Sequence, residues 1–408
     1  MFKLNPKIHS LQWLLFTLFA IGFLSGCALL QPNNCPPACT GKTLTGKDFS
    51  NKNLQGIDFS NANLTHANFS GADLRQATFI GANLNDANLL NANLGHANFA
   101  SASMNRARLS GSLLEKVNLN GVDLSHAMLS SANLRDVDIT AVNFSHAVLI
   151  GVNLENANLN GAQMIETDLS GANLVNVDLS GADLTGATLN GAILRGSNLS
   201  GVILNNASVQ GVQLNGSFLN GAQLENARFQ GTDMRSANLS GANLQGSQFQ
   251  GSTMDLANLS GANLSGANLE GTVLTAANLN QVVFSTKTSS TSIDSLVFFA
   301  NLNGASLARA SFDEACLGHS FITGANLNWV DLSTAKLDEG ANGGEVCTPL
   351  DRPANLRGSR CNTQTILPDN SSYICGFNIA DSNEPLNCTE ENLAAQTNQT
   401  ECILIEYP

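Results

Sequence analysis

Charge is scarce in this chain. Asp, Glu, Lys and Arg make up 12% of its 408 residues, with 19 basic against 32 acidic side chains and a formal charge of −13. A protein that binds nucleic acid by neutralising phosphates needs clustered Lys and Arg, so this balance excludes that class. Aromatic residues are also few, at 6% with two Trp and two Tyr, and the composition is unlike that of an average globular enzyme. No Gly-x-Ser-x-Gly elbow and no third group placed for a catalytic triad are found. Gly-rich runs such as Gly261-Ala262-Asn263-Leu264-Ser265-Gly266 open no helix, which removes them as phosphate loops. The longest apolar run, Leu11 to Leu24, is too short to span a bilayer comfortably. What is abundant is a simple alphabet of Gly, Asn, Ala, Leu and Ser, and such an alphabet directs attention to internal repeats.

Lys3 and Lys7 precede that apolar run, the charged-then-apolar order of a secretory signal. It ends in Leu24-Ser25-Gly26-Cys27, which resembles the lipobox of bacterial lipoproteins, whose Cys is acylated after cleavage. The resemblance implies removal of 1–26, a lipid on Cys27 and a tether over 27–41. Several acyl chains on one residue anchor durably, because each buried CH₂ contributes about 0.8 kcal/mol. Ala28 in place of Asp after the Cys is similar to the outer-membrane sorting pattern, so the expected address is the cell envelope, facing the periplasm or the surface.

From Leu44 to Phe284 every fifth residue is Leu, Phe, Met, Ile or Val. Two residues before each stands a small residue, usually Ala, as in Ala62-Asn63-Leu64 and Ala72-Asp73-Leu74, with Asn or Asp commonly between. A period of five matches neither the helix nor the strand repeat, so neither element would keep these residues on one face. A square coil would. After Phe284 the frame slips by three residues modulo five across a polar stretch, 285–295, then resumes at Leu302, Leu307 and Phe312 and runs to Leu337. That slip reads as a loop bulging from the stack.

The pattern resembles the pentapeptide-repeat family, A-(D/N)-L-x-x. The resemblance implies an all-β fold: a right-handed quadrilateral β-helix over 42–338, four repeats per turn, with the large and small residues inward. The sequence supports a twenty-residue coil independently. Gly recurs every ten residues from Gly151 through Gly271, as corners needing positive φ require. Exposed residues twenty apart should then stack one strand spacing apart. One such column reads Arg75, Gly95, Glu115, Arg135, Glu155, with no like charges adjoining, and Lys116 and Asp136 become neighbours in another. Phe49 with Phe69, and Phe59 with Phe79 and Phe99, should form stacked aromatic columns. About 57 repeats make roughly 14 coils, a rod on the order of 70 Å. Lys42, Lys47 and Lys52 take the position usually held by Ala, so the first coil should be a partly open end.

Beyond Leu337 the period stops and an acidic region, 339–408, carries Cys347, Cys361, Cys375, Cys388 and Cys402. With Cys35, Cys39 and Cys316 these make an even set once Cys27 is set aside. Export makes disulfides the expected state, with connectivity open. The region reads as a disulfide-pinned cap or a small interaction module. A metal site there lacks close Cys-x-x-Cys pairs and accompanying His ligands.

His66, His126 and His146 share one exposed column with Asp86, Arg106 and Glu166, while His96 lies on the opposite corner. His126, His146 and Glu166 could meet a divalent ion or respond to pH; the plain reading is a row of solvated corners. Asp136 and Asp138 read as solubilising, and Trp329 and His319 as single exposed residues. No catalytic residue, resident metal or cofactor is expected. The preferred function is a non-enzymatic, membrane-tethered rod that serves as a structural or protein-interaction scaffold, with an envelope protein as partner. One alternative is a DNA mimic binding a topoisomerase, as the resemblance allows. The repeat tract carries about −8, mild for a rod of this length, and its charges alternate. The other alternative is a metal-binding or enzymatic tail.

Overall fold

The computed structural model describes residues 39–284, scattered positions from 297 to 330, and four short strands between 360 and 406. Through the first of these tracts the chain pairs in parallel with itself at a separation of twenty residues. One ladder runs from Thr43 through Asn63 and Asn83 to Val283, and three others start at Asp48, Asn53 and Asp58. Four ladders at twenty-residue separation define a square coil of four five-residue faces. The described ladder to Val283 corresponds to roughly 60 Å of rod at β spacing.

Each five-residue unit builds one face and one corner. At the corner, Phe59 O accepts from Ala62 N at 3.0 Å, and Asn61 between them has φ 55°. On the face, Leu64 N donates to Asn83 O at 2.7 Å, while Asn83 N donates to Ala62 O at 2.9 Å, tying adjacent coils from both sides. The large and small residues alternate with the bridge residue, so both point inward: Leu64 is 0% and Ala62 1% exposed. The core is therefore one continuous apolar column from Cys39 to Val330.

Corners require positive φ, and the glycines from Gly151 to Gly271 supply it, at 62–69°. Gly71 needs more than its φ of 66°, since a Cβ there would come within 2.5 Å of Asn51 Oδ1. Many corners carry no glycine at all. Asn, His, Ser, Lys, Ala and even Leu256 hold φ of 51–61° there, a conformation that costs residues with a Cβ roughly 1–2 kcal/mol. Asn tolerates this conformation better than most residues with a Cβ and recurs at these positions.

Where Ser or Thr replaces the inward Ala, its hydroxyl donates to a core-lining carbonyl. Ser112 reaches Leu109 O at 2.6 Å, Thr167 reaches Phe144 O at 2.9 Å, and Thr232 reaches Val209 O at 2.6 Å. A buried hydroxyl is thereby satisfied without widening the coil. The aromatic columns form as the twenty-residue spacing requires. Phe49 and Phe69 stack at 4.9 Å, Phe59 and Phe79 at 5.2 Å, and Phe79 and Phe99 at 4.6 Å, with edge contacts between the two columns.

The frame slip is visible in the register. Val273 bridges Asn301 and Asn278 bridges Ser306, each twenty-eight residues on, and Phe284 stacks on Phe312 at 4.6 Å. Eight extra residues are thus accommodated without breaking the core column; 285–295 itself lies outside the described residues. At the first described coil Lys42 and Lys47 are exposed and Lys52 half-buried, so none of the three amines is taken into the core.

The C-terminal region contains strands β1 (Arg360–Cys361), β2 (Tyr373–Phe377), β3 (Leu386–Asn387) and β4 (Cys402–Glu406), an antiparallel sheet in the order β1-β4-β2-β3. Its register sets Cys361 opposite Cys402, and Cys375 opposite Leu404.

Candidate interaction surface

The outward faces are lined by the bridge residues, mostly Asn and Asp, whose side chains do two things at once. Asn153 Oδ1 accepts the backbone N–H of Glu155 at 3.2 Å, closing a local turn. Its Nδ2 donates to Asn133 Oδ1 at 3.2 Å, and its Oδ1 accepts from Asn173 Nδ2 at 3.1 Å, so the amides form a ladder along the rod. A second ladder of this kind, on another face, links Asn238, Asn258 and Asn278. Asp fits the turn equally well: Ser50 N donates to Asp48 Oδ1 at 3.0 Å and holds that carboxyl below its ordinary value. Side-chain stacking of this kind explains why the middle residue of each repeat is so often Asn.

Ionic groups alternate along the corners. In one column Arg135 reaches Glu155 at 3.3 Å and also Asp136 at 3.3 Å. Arg75 and Arg235 instead fold back two residues onto Asp73 and Asp233, at 2.6 Å each. Hydrogen bonds from the two guanidiniums, then from the arginine backbone N–H groups, hold both carboxyls below the ordinary 3.8. Lys116 and Asp136 do not pair: Lys116 lies 3.8 Å from Glu115, and Asp136 takes Arg135 and accepts from Asn156 at 2.9 Å. Beside Gly95 the missing side chain leaves a shallow notch lined by Arg75, His96, Leu113 and Glu115.

The histidine column forms as the twenty-residue coil demands. Arg106 pairs with Asp86 at 3.3 Å, the rings of His126 and His146 stack at 4.8 Å and 9°, and His146 Nδ1 lies 3.2 Å from Glu166. His66 stands at the end of this column and His96 lies on another corner beside the notch. Parallel stacking aims the in-plane lone pairs of the two rings alongside each other, so they do not converge on one ion. Among the described residues no group of three or more potential metal ligands occurs. Met128 on the adjoining face and Ile150 at the corner beyond it are each 44% exposed.

Of the cysteines, Cys39 is buried and disulfide-bonded. Cys361, Cys375 and Cys402 lie in the small sheet. The proposed acylation site Cys27, and Cys35, Cys316, Cys347 and Cys388, lie outside the described residues, as do His319 and Trp329. No helix among the described residues is long and apolar enough to cross a membrane. Reasoning from sequence did not single out the Asn ladders as a surface, although the A-N-L pattern contained their signal.

The geometry defines a class, the square-coiled parallel β-solenoid with an apolar core and laddered polar side chains on its faces. The chain belongs to the pentapeptide-repeat family: "Pentapeptide repeat region" matches residues 52–129 and 182–259, and "Pentapeptide repeats (8 copies)" matches 143–181, 254–285 and 299–328, together more than half of the sequence. Solved structures similar to it include HetL, a pentapeptide repeat protein involved in heterocyst differentiation regulation from the cyanobacterium Nostoc sp. strain PCC 7120. It is 31% identical over 55% of this chain and 88% of its own, with a TM-score of 0.42. Rfr23 from the cyanobacterium Cyanothece 51142 is 32% identical over 28% of this chain and 85% of its own, at 0.15. QnrB1, a plasmid-mediated fluoroquinolone resistance protein, is 18% identical over 55% and 94%, at 0.28. At these scores the superpositions decide nothing about this rod, whose architecture rests on its own ladders. No curated protein matches.

Proposed function

We propose that this protein is a non-enzymatic scaffold of the cell envelope, held to a membrane by lipid on Cys27 and presenting the faces of its solenoid to a partner protein. The observation that carries this reading is the set of polar ladders, short runs of stacked amides that recur on different faces of the solenoid and converge on no reacting centre among the described residues. Such a surface suits extended, additive contact. Leu24-Ser25-Gly26-Cys27 supports the anchor, and the outer membrane is the proposed address. The disulfide at Cys39 supports an oxidising compartment, since disulfides persist in exported proteins. The C-terminal region acts in this reading as a disulfide-pinned cap, with Cys361 joined to Cys402, because directly opposed antiparallel residues lie about 4.5–5.5 Å apart at Cα.

Metabolic labelling with palmitate and membrane fractionation test the anchor. Label and membrane association should both vanish in Cys27→Ser, and an unlabelled, soluble wild-type chain would refute it. Photo-crosslinking from Met128 in intact membranes should give a discrete protein adduct, whereas a scaffold without a partner gives none. Peptide mapping without reduction should recover Cys361 linked to Cys402.

A further inference from the structure

The solenoid contains one built-in flaw. In the inward small position a Val is normally stacked on something smaller in the coils before and after it. Val152 lies between Ala132 and Ala172, Val177 between Ala157 and Ser197, and Val202 between Ala182 and Ala222. Two columns depart from this in the same pair of coils, where Val117 is followed by Val137, and Val122 by Val142. These columns flank a single face and its corner.

That face is where the ladder fails. Asn98 bridges Asn118 and Asp138 bridges Asn158, but no bridge joins Asn118 to Asp138, the one gap among the described ladders between Thr43 and Val283. One coil earlier, His96, Phe99 and Ser101 donate to Glu115, Asn118 and Asn120 at 2.8–3.0 Å. One coil later, Asp136, Ile139 and Ala141 donate to Glu155, Asn158 and Asn160 at 2.9–3.0 Å. The matching N–H groups of Lys116, Leu119 and Gly121 have no such acceptor, nor has that of Asp138.

The opening is graded around the coil. On the opposite face Leu129 N reaches Val148 O at 2.7 Å and Val148 N reaches Ala127 O at 2.9 Å. On the two flanking faces Leu114 N to Asn133 O is 3.0 Å, and Asn143 N to Val122 O is 3.4 Å. The gap is a wedge, closed on the side of the stacked His126 and His146 and open on the side of Asn118. Charge is not its cause, because Lys116 and Asp136 across the gap attract. A single β-branched pair is accommodated, since Val212 stacks on Thr232 with Leu214 N on Asp233 O at 2.7 Å and Asp233 N on Val212 O at 3.0 Å. Two Val-on-Val stacks flanking one face overfill columns sized for Ala, and the coils relieve the overlap by separating where both columns meet.

We infer that this wedge is a hinge, at which the rod bends toward the histidine face and yields under load, dividing it into an N-terminal arm and a longer arm beyond Arg135. The inference rests on packing alone and stands whether or not the chain is anchored. Hydrogen exchange read by mass spectrometry on the full chain tests it. Within peptides covering 116–121 the amides of Lys116, Leu119 and Gly121, which lack ladder bonds, should exchange at least ~100-fold faster than their counterparts in 96–101 or 156–161, while Asn118 N keeps its bond to Ala97 O. The double substitution Val117→Ala and Val122→Ala leaves Val137 and Val142 stacked on Ala, as valines are elsewhere, and should slow exchange at 116–121 to the level of the reference coils. Val137→Ala with Val142→Ala should do the same, which separates relief of overlap from any local effect of one pair. Protection of 116–121 equal to the reference coils in the natural chain, or fast exchange persisting in both double variants while the reference coils stay protected, overturns the hinge.

Discussion

Phe79 is the centre of the aromatic column and the most informative single perturbation. It is 0% exposed, stacks on Phe59 at 5.2 Å and on Phe99 at 4.6 Å, and meets Phe69 edge-on at 6.0 Å. Phe79→Ala removes a whole ring from a core without free volume to collapse into, at a cost of about 3–5 kcal/mol. Phe79→Leu places in the column the residue that Leu84 and Leu89 already supply at the equivalent position, at roughly 1–2 kcal/mol. Because each coil touches only its neighbours, the loss should be local. Native-state hydrogen exchange across the chain should therefore show lowered opening free energy in the coils holding residues 59–99, and unchanged protection beyond residue 200. A loss below about 1 kcal/mol for Phe79→Ala would refute the view that the stack holds this end together. So would an equal loss along the whole rod, which would mean that the coils unfold as a single unit.

Three further perturbations follow from the same geometry. Asn153→Ala removes the turn bond to Glu155 N and both ladder amides, and should cost about 1–2 kcal/mol by denaturant titration. Asn153→Asp keeps the turn acceptor and should lose less; equal losses would rule out the turn as the main contribution. Leu256 is 66% exposed at φ 59°, so Leu256→Gly relieves a strained corner and should stabilise by about 0.5–1 kcal/mol, read as a raised denaturation midpoint, while a lowered midpoint would contradict it. Asp73 and Asp233 have depressed folded-state values set first by hydrogen bonds from Arg75 and Arg235. Their stabilising contribution is present above 3.8 and is lost as pH falls through the folded values. In a carboxyl NMR titration Arg75→Gln should move Asp73 upward toward 3.8 and leave Asp233 unmoved.

The inward Leu and Phe positions, the glycine corners and the coil length were legible because a one-dimensional stack turns every structural repeat into a sequence period. Even the insertion before residue 297 was legible, since the slip of three modulo five is the eight-residue offset seen between Val273 and Asn301. The histidine stack was legible as a column but not as a geometry: spacing placed His126 above His146, while only coordinates showed their ring planes parallel and Glu166 on Nδ1. Positive φ at His66, Lys116 and Leu256 was announced by their place in the five-residue register and not by residue type.

The amino-acid sequence by itself determined the coil, since a large residue every five and a small one two before it can be buried together only in a square turn. What the tertiary structure alone decided is how neighbouring coils accommodate each other. Val117 and Val137 are unremarkable members of the repeat when read along the chain; their effect exists only where one is stacked on the other, and there the ladder between Asn118 and Asp138 opens. Steric overlap is a property of pairs in space, and it becomes visible once the twenty-residue register has brought them together.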